Sequence, residues 1–576
     1  MTTVAHLFLF DMGIPSYFAH VLKKYPRVIK RISELPCINN LYLDCNGMIY
    51  DVVRQMQFSP EKQTEYETEL LQRICDSIDA CIAIMRPTSS VFIAFDGVAP
   101  VAKLNQQRER RYKSWYLGEM ESQRRRDITA HMKKRANIEP PKPAWNTSAI
   151  TPGTKFMNLL HNKLAKHFDT SNPAALNARY NLNGGAGIIL SSSKEPGEGE
   201  HKLFEYIREH AAEHAAATTV IYGLDADLIM LCMSHLHISR GIYLYRETPE
   251  FVKSINVALD EKERYYMDIP EFADAIVEQL SSSSLQCSPK VAKDKVIDYI
   301  FICFMLGNDF MPHFPSLNIR TTGIATLLEA YRATIGANET IVSVQNGGHC
   351  IHWPHYKKLI VALATPELNL IRKEHATRDR QARHMRDTDK EDDVMHDVLM
   401  LPMTQRDVER SIDPFAAGWE RRYYATLCDI SMNGKTDAAQ IAALCRNYLE
   451  GMEWTFQYYT RGCIDWKWTY ANHYPPLLSD LVQHIPDTTA FSFLQVKPKE
   501  PIRDVVQLCY VLPKASHALL PPAVARGLMR SKLASKYADD GGYDFKWAYC
   551  KYFWECHTDL PALDLRELEE IVKKTD

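Results

Sequence analysis

The chain contains fourteen cysteines but no CxxC pair and no regular cysteine spacing. A disulfide framework or a zinc knuckle therefore has no footing, and Cys550, Cys556 and His557 lack a second ligand pair. Reduced thiols predict a cytoplasmic location, with the nucleus as the alternative. Long apolar runs are missing too: the longest, 296–306, is interrupted by Asp298 and is too short to span a bilayer. The segment MTTVAHLFLFD at the start lacks a basic leader and a small-residue cleavage site, which argues against a secretory signal and for a soluble intracellular chain with no membrane partner. Internal repeats are absent. So is an excess of either charge, since 68 Lys+Arg face 71 Asp+Glu for a net −3. Binding of nucleic acid through bulk positive charge is excluded, and any phosphate partner has to meet basic residues concentrated locally.

What is present is an ordinary globular balance, 46% hydrophobic and 24% charged. The runs NNLYLD (39–44), SVFIAFD (90–96), GIIL (187–190) and TVIYGLD (219–225) read as buried strands, each followed by helix-forming sequence. That alternation predicts an α/β fold with a mostly parallel sheet over residues 1–365. A charge-rich stretch, 366–411, reads as a solvated linker or an exposed helical insert. A second region of mixed character, 412–576, holds six of the nine tryptophans.

Three strand-like runs stop in an aspartate: Asp44, Asp96 and Asp225. Strand carboxyl ends line the ligand crevice of an open α/β sheet. Asp227 points the same way as Asp225 if the extended backbone continues. Glu198 and Glu200 repeat that spacing in KEPGEGEHK, where glycines permit close approach. Gly307 ends the helical DKVIDYIFICFML in a left-handed cap, and Asp309 follows. Any one of these acids alone reads as a turn residue, a helix cap or a solvated first-turn acid. Seven converging carboxylates repel one another unless cations neutralise them. Mg²⁺ or Mn²⁺ is the natural choice, and two ions about 3.5–4 Å apart suit phosphodiester cleavage.

After Asp96, Pro100 suits the first turn of a helix. Lys103, Gln107, Arg110 and Arg111 then share one helical face that could grip a terminal phosphate. Residues 102–135 carry eleven Lys/Arg against four Asp/Glu. The remainder of that charge, including Arg108, 124–126 and 133–135, reads as a solvated face or loose backbone attraction.

The segments MGIPSYF (12–18), NLYLDCNGMIY (40–50), FDGVAPVAKLNQQRERR (95–111), PGEGEHK (196–202), YGLDADLIML (222–231), LGNDFMPHFPSL (306–317) and WKWTYANHYPP (466–476) carry a resemblance to the XRN family of 5′→3′ exoribonucleases. The resemblance implies a PIN-like nuclease domain related to flap endonucleases, with the second region packed around its site. It implies that Asp44, Asp96, Glu198, Glu200, Asp225, Asp227 and Asp309 are the catalytic, metal-binding carboxylates. Lys103, Gln107, Arg110 and Arg111 match the pocket for a 5′-monophosphate. The implied reaction is processive degradation of 5′-monophosphorylated single-stranded RNA to nucleoside 5′-monophosphates, by a monomer whose recruiting partners are not specified. Tyr50 stands where the family has a base-stacking His, and Trp466, or else Trp468, matches its stacking Trp. The nuclear members' zinc knuckle is missing and the chain stops at Asp576, which reads as a compact, divergent or viral member. A flap-type DNA nuclease and an inactive RNA-binding scaffold are the rival readings.

Overall fold

The structure is a computed structural model describing residues 16–131, 144–246, 260, 263–281, 288–336, 338–345, 348–388, 398–431, 435–494, 500–537 and 543–575. The first eleven residues and the basic cluster 133–135 lie outside these. Among the described residues no helix is long and apolar enough to cross a membrane.

Seven strands form the central sheet: β1 (Ile29–Arg31), β2 (Asn40–Asp44), β3 (Ser90–Ala94), β4 (Gly187–Ser191), β5 (Thr218–Tyr222), β6 (Gly241–Tyr245) and β7 (Tyr265–Asp268). Their order is β1-β7-β6-β5-β2-β3-β4. The five from β6 to β4 run parallel, and β7 and β1 add antiparallel pairs at one edge. The predicted α/β class and mostly parallel sheet hold. Strands β2 and β3 are buried along their whole length, as expected for parallel strands covered on both faces. Alternate side chains leave on opposite faces. Tyr42, Phe92 and Ile221 enter one apolar layer, and Leu41, Leu43, Val91, Ile93 and Val220 enter the other.

Connections from β2 run outward to β3 and β4, whereas those from β5 run the other way to β6. The strand order thus reverses between β2 and β5, the point at which such sheets open a crevice at their carboxyl ends. The register aligns these ends, pairing Asp44 with Ala94 and Leu43 with Tyr222.

Of the two readings of the charge-rich stretch after residue 366, a solvated linker or an exposed helical insert, the described part takes the helical one but is not exposed throughout. It begins as a helix, Glu367–Thr388, that buries Ile371, Glu374, His375 and Arg378. Its buried charge joins a network with residues further along the chain. Arg378 reaches both oxygens of Glu409 at 3.0 Å, Arg406 binds Glu409 and Asp379, and the Tyr549 N–H donates to Glu409 at 2.9 Å. Composition reads as solvated because sequence cannot show that Arg378 and Arg406 meet Glu409 and Asp379.

Burial alone would raise the Glu409 carboxyl, but Arg378 and Arg406 outweigh it and hold it at about 2. Because this lies below the unfolded value, the contribution to stability is complete above pH ~4.3 and is lost as pH falls through about 2. Glu409→Gln leaves two buried guanidiniums uncompensated and is expected to cost ~3–5 kcal/mol at neutral pH. Urea midpoints at pH 7 and pH 3 check this: the gap between variant and wild type should narrow at the lower pH. A gap below ~1 kcal/mol at pH 7 would place the network among weak surface pairs.

Candidate active site

Each acid reaches the β2/β5 crevice by a different local route. Asp44 is the last residue of β2. Asp96 and Asp225 lie beyond their strands, since β3 ends at Ala94 and β5 at Tyr222, two and three residues sooner than the apolar runs suggested. Asp227 does not continue an extended backbone; it opens a helix, α1 (Asp227–Ser234), whose first turn returns its carboxylate to the crevice. Glu198 is the N-cap of a second helix (Gly199–Glu209), and Glu200 lies in its first turn. Asp309 follows a helix, α2 (Pro289–Cys303), that ends through a 3₁₀ turn. Gly307 then has φ 91° and ψ 147°, not the left-handed cap expected, but still a conformation suited to glycine.

The structure brings all seven acids together. Oxygens of Asp44, Glu200 and Asp225 lie within 4.8 Å of one another. The Gly199 N–H donates to Asp96 at 2.7 Å. A Cβ on Gly199 would sit 2.6 Å from Asp44 Oδ1 and 3.4 Å from Asp96 Oδ1, so the approach of these two acids requires glycine there. Burial, followed by the neighbouring acids Asp96 and Asp225, pushes Asp44 well above the usual carboxylate range. Burial with Asp227, and burial with Asp309, do the same to Glu200 and Asp227. Asp225 is raised to about 6, chiefly by burial. Asp44 Oδ1, Glu200 Oε2 and Asp227 Oδ1 are buried without a hydrogen-bond partner. Buried oxygens of this kind carry a large desolvation cost, and a hard divalent cation is the partner that matches an all-oxygen donor set.

Of the four residues predicted to hold a phosphate, Lys103 lies deepest. They stand on the long helix Val101–His131, where Pro100 takes the N-cap position, its carbonyl accepting from the Lys103 and Leu104 N–H groups. Lys103 Nζ is 2.6 Å from Glu198 and 2.5 Å from Asp309, so it stands among the acids. Burial opposes its charge, but Asp309, Glu198, Glu200 and Asp227 hold it protonated. Gln107 is buried and Arg110 half-buried one and two turns on. Arg111 has a buried Nε without a partner, and among the described residues it makes no ion pair. Burial lowers its guanidinium to about 10, and Tyr50 and Arg110 are its neighbours. A buried cation lacking an acid beside a second arginine is suited to an anion. Tyr50 is thus beside Arg111. Trp466 is half-buried, and its carbonyl accepts from the Val101 N–H at the start of the same helix. Trp468 instead belongs to the core, stacked on Trp454 at 4.8 Å.

Sequence reasoning missed the supporting residues. Asn46 donates to Asp96 and accepts from its N–H. Lys202 Nζ ties Phe95 O to Ser192 O, each at 2.8 Å, joining the ends of β3 and β4. Tyr458, on the helix Lys435–Arg461 of the second region, donates to Glu198 at 2.7 Å and stacks on His201 at 3.7 Å. Asn46 and Lys202 lay inside segments already singled out, two residues from a ligand candidate. Tyr458 carried no such signal, being far along the chain in an aromatic-rich helix.

Gly199→Ala supplies a test of the carboxylate cluster as a cation site. Mn²⁺ at ~100 times its Kd should stabilise the wild type by ~2.7 kcal/mol in thermal unfolding. The added methyl displaces Asp44, so the variant should fold but lose most of that shift. An unchanged shift would separate cation binding from these acids.

Residues 12–248 match the family model described as XRN 5′-3′ exonuclease N-terminus, and 290–412 and 403–576 match that of the Xrn1 helical domain. Over 98% of its length the chain is 26% identical to 5′-3′ exoribonuclease 2 of Gallus gallus, covering 70% of that protein. It is 25% identical to 5′-3′ exoribonuclease 2 of Arabidopsis thaliana, with 98% of this chain and 67% of that one covered. Against 5′-3′ exoribonuclease 1 of Homo sapiens the identity is 28% over 98% of this chain, which spans 34% of the human protein. With a PIN-like, mostly parallel α/β sheet at its centre, the chain belongs to the XRN family of 5′-3′ exonucleases.

Proposed function

We propose that the protein is a processive 5′→3′ exoribonuclease acting in RNA decay, which degrades single-stranded RNA bearing a 5′-monophosphate to nucleoside 5′-monophosphates. The observation that carries this reading is the adjacency of two opposite sites: a carboxylate crevice with partnerless buried oxygens, and, on the neighbouring helix, Arg111, which makes no ion pair among the described residues and stands beside Arg110. Family membership and the names of the relatives support the exonucleolytic direction and RNA as substrate.

The carboxylates would hold two Mg²⁺ or Mn²⁺ ions. Bound there, such ions supply Lewis-acid activation of water and stabilisation of the leaving oxygen. The chain's own residues then do the positioning. Asn46 fixes the Asp96 carboxylate, and Tyr458 orients Glu198 from the second region. Lys103 keeps one positive charge among the acids and stands one helical turn from Gln107, so it can also face an incoming phosphate. Gln107, Arg110 and Arg111 seat the 5′-phosphate and set the register of the chain. A 5′-triphosphate or cap adds bulk and charge beyond a pocket with a single pair of guanidiniums. Tyr50, beside Arg111, offers a flat ring to the terminal base, and the half-buried Trp466 offers a second; such stacking contributes ~1–3 kcal/mol per base.

Three end-labelled single-stranded RNAs with 5′-phosphate, 5′-hydroxyl or 5′-triphosphate, incubated with Mg²⁺, test the reading. Mononucleotides should be released from the first alone; internal fragments would favour a flap-type nuclease, and intact RNA an inactive scaffold. Asp225→Asn should reduce turnover at least ~10³-fold, as loss of a group needed at the transition state does, while RNA binding persists. Arg110→Ala with Arg111→Ala should erase the preference for phosphate over hydroxyl ends. An unchanged preference would remove these arginines from the pocket.

A further inference from the structure

A second cluster of ligand-type side chains stands outside the carboxylate crevice. Glu109, His473 and His557 each present one donor atom, and the three atoms lie within 4.8 Å of one another. His473 Nδ1 is 3.7 Å from Glu109 Oε1, and the two imidazoles stack at 5.0 Å with 25° between their planes. All three residues are half-buried in the wall of a cavity of about 1390 Å³ that extends along the basic helix to Arg110 and Asp309. Neither imidazole makes a hydrogen bond to a described residue.

The backbone holds the cluster on both sides. Asn105, Glu109 and Lys113 recur every fourth residue on one helical face. Asn105 donates to Thr469 at 2.6 Å, and Lys113 Nζ donates to the carbonyls of Trp554 and Cys556 at 2.8 and 2.6 Å. Glu109 is therefore fixed midway between two points of attachment to the second region. His557 lies in a two-residue strand, His557–Thr558, paired with Phe545–Lys546. The nearby Cys550 thiol is turned to the carbonyls of Ala548 and Glu555.

We propose that Glu109, His473 and His557 form a binding site for a Zn²⁺-class transition-metal ion that clamps the basic helix to the second region. Two imidazoles and one carboxylate are a zinc-type donor set, with the fourth position open to the cavity. Imidazole nitrogen favours Zn²⁺ over Mg²⁺, so the two sites select different ions. Donors around an ion at about 2.1 Å lie roughly 3.4 Å apart, so the three side chains close slightly on loading. The ammonium of Lys113, one turn on from Glu109, is turned to the carbonyls of Trp554 and Cys556. The clamp would sit one residue from Arg110 and two from Arg111, bracing the proposed phosphate-binding pair.

Metal content tests this without using nuclease activity. Full-length protein is stripped with chelator, loaded with Zn²⁺ in excess Mg²⁺, desalted and assayed by elemental mass spectrometry. The wild type and Asp225→Asn should each retain about one Zn²⁺ per chain; His473→Ala with His557→Ala should retain none, and Glu109→Gln should bind at least tenfold more weakly. A Co²⁺-loaded wild type should show the visible absorption of a low-coordinate nitrogen–oxygen site. Should the double variant fail to fold, the wild type decides: Zn²⁺ should protect His473 and His557 from diethyl pyrocarbonate, read by peptide mass spectrometry. Absence of Zn²⁺ from the wild type, equal retention by a folded double variant, or unprotected histidines would overturn the proposal.

Discussion

Mutual repulsion among carboxylates is the constraint around which this molecule is arranged. Seven acids converge where the strand order reverses, and Lys103 stands between two of them. Burial and like charge both raise Asp44, Glu200 and Asp227 above the usual range. Such a crevice is costly to assemble from protein alone, and the surrounding structure serves to hold it. Strand ends fix Asp44, Gly199 lets its neighbours close in, and Lys202 ties β3 to β4.

The second region takes part in the same task. Tyr458 reaches Glu198 across an aromatic column in which His201, Tyr458, Trp454 and Trp468 stack in succession. Trp466 attaches through its carbonyl to the first turn of the basic helix. That helix also meets the second region at Asn105 and Lys113. Acid crevice and basic face are therefore held by the same contacts, and displacement of the second region would disturb both.

Much of this was legible in the sequence, for identifiable reasons. Parallel strands leave unbroken apolar runs, so β2, β3, β4 and β5 stood out, as did the acids that end or follow them, although the edge strand β4 is only half-buried beyond Ile188. Helical spacing placed Lys103, Gln107, Arg110 and Arg111 on one face. Other features depended on chain folding that no local pattern encodes. Asp227 was read as extended because spacing cannot register the start of helix α1. The 366–411 stretch looked solvated because the opposite charges of Arg378, Arg406 and Glu409 become a buried network only after folding. His557 was noticed but lacked ligands, since His473 and Glu109 reach it from distant segments.

Near-neutral net charge concealed two adjacent local fields of opposite sign, and the proposed activity depends on both. Titration of the full chain with Mn²⁺, followed by electron paramagnetic resonance, examines the acidic one directly. The account predicts two Mn²⁺ per chain with an exchange-coupled spectrum, as for ions about 3.5–4 Å apart. A single uncoupled Mn²⁺, or none, would contradict it.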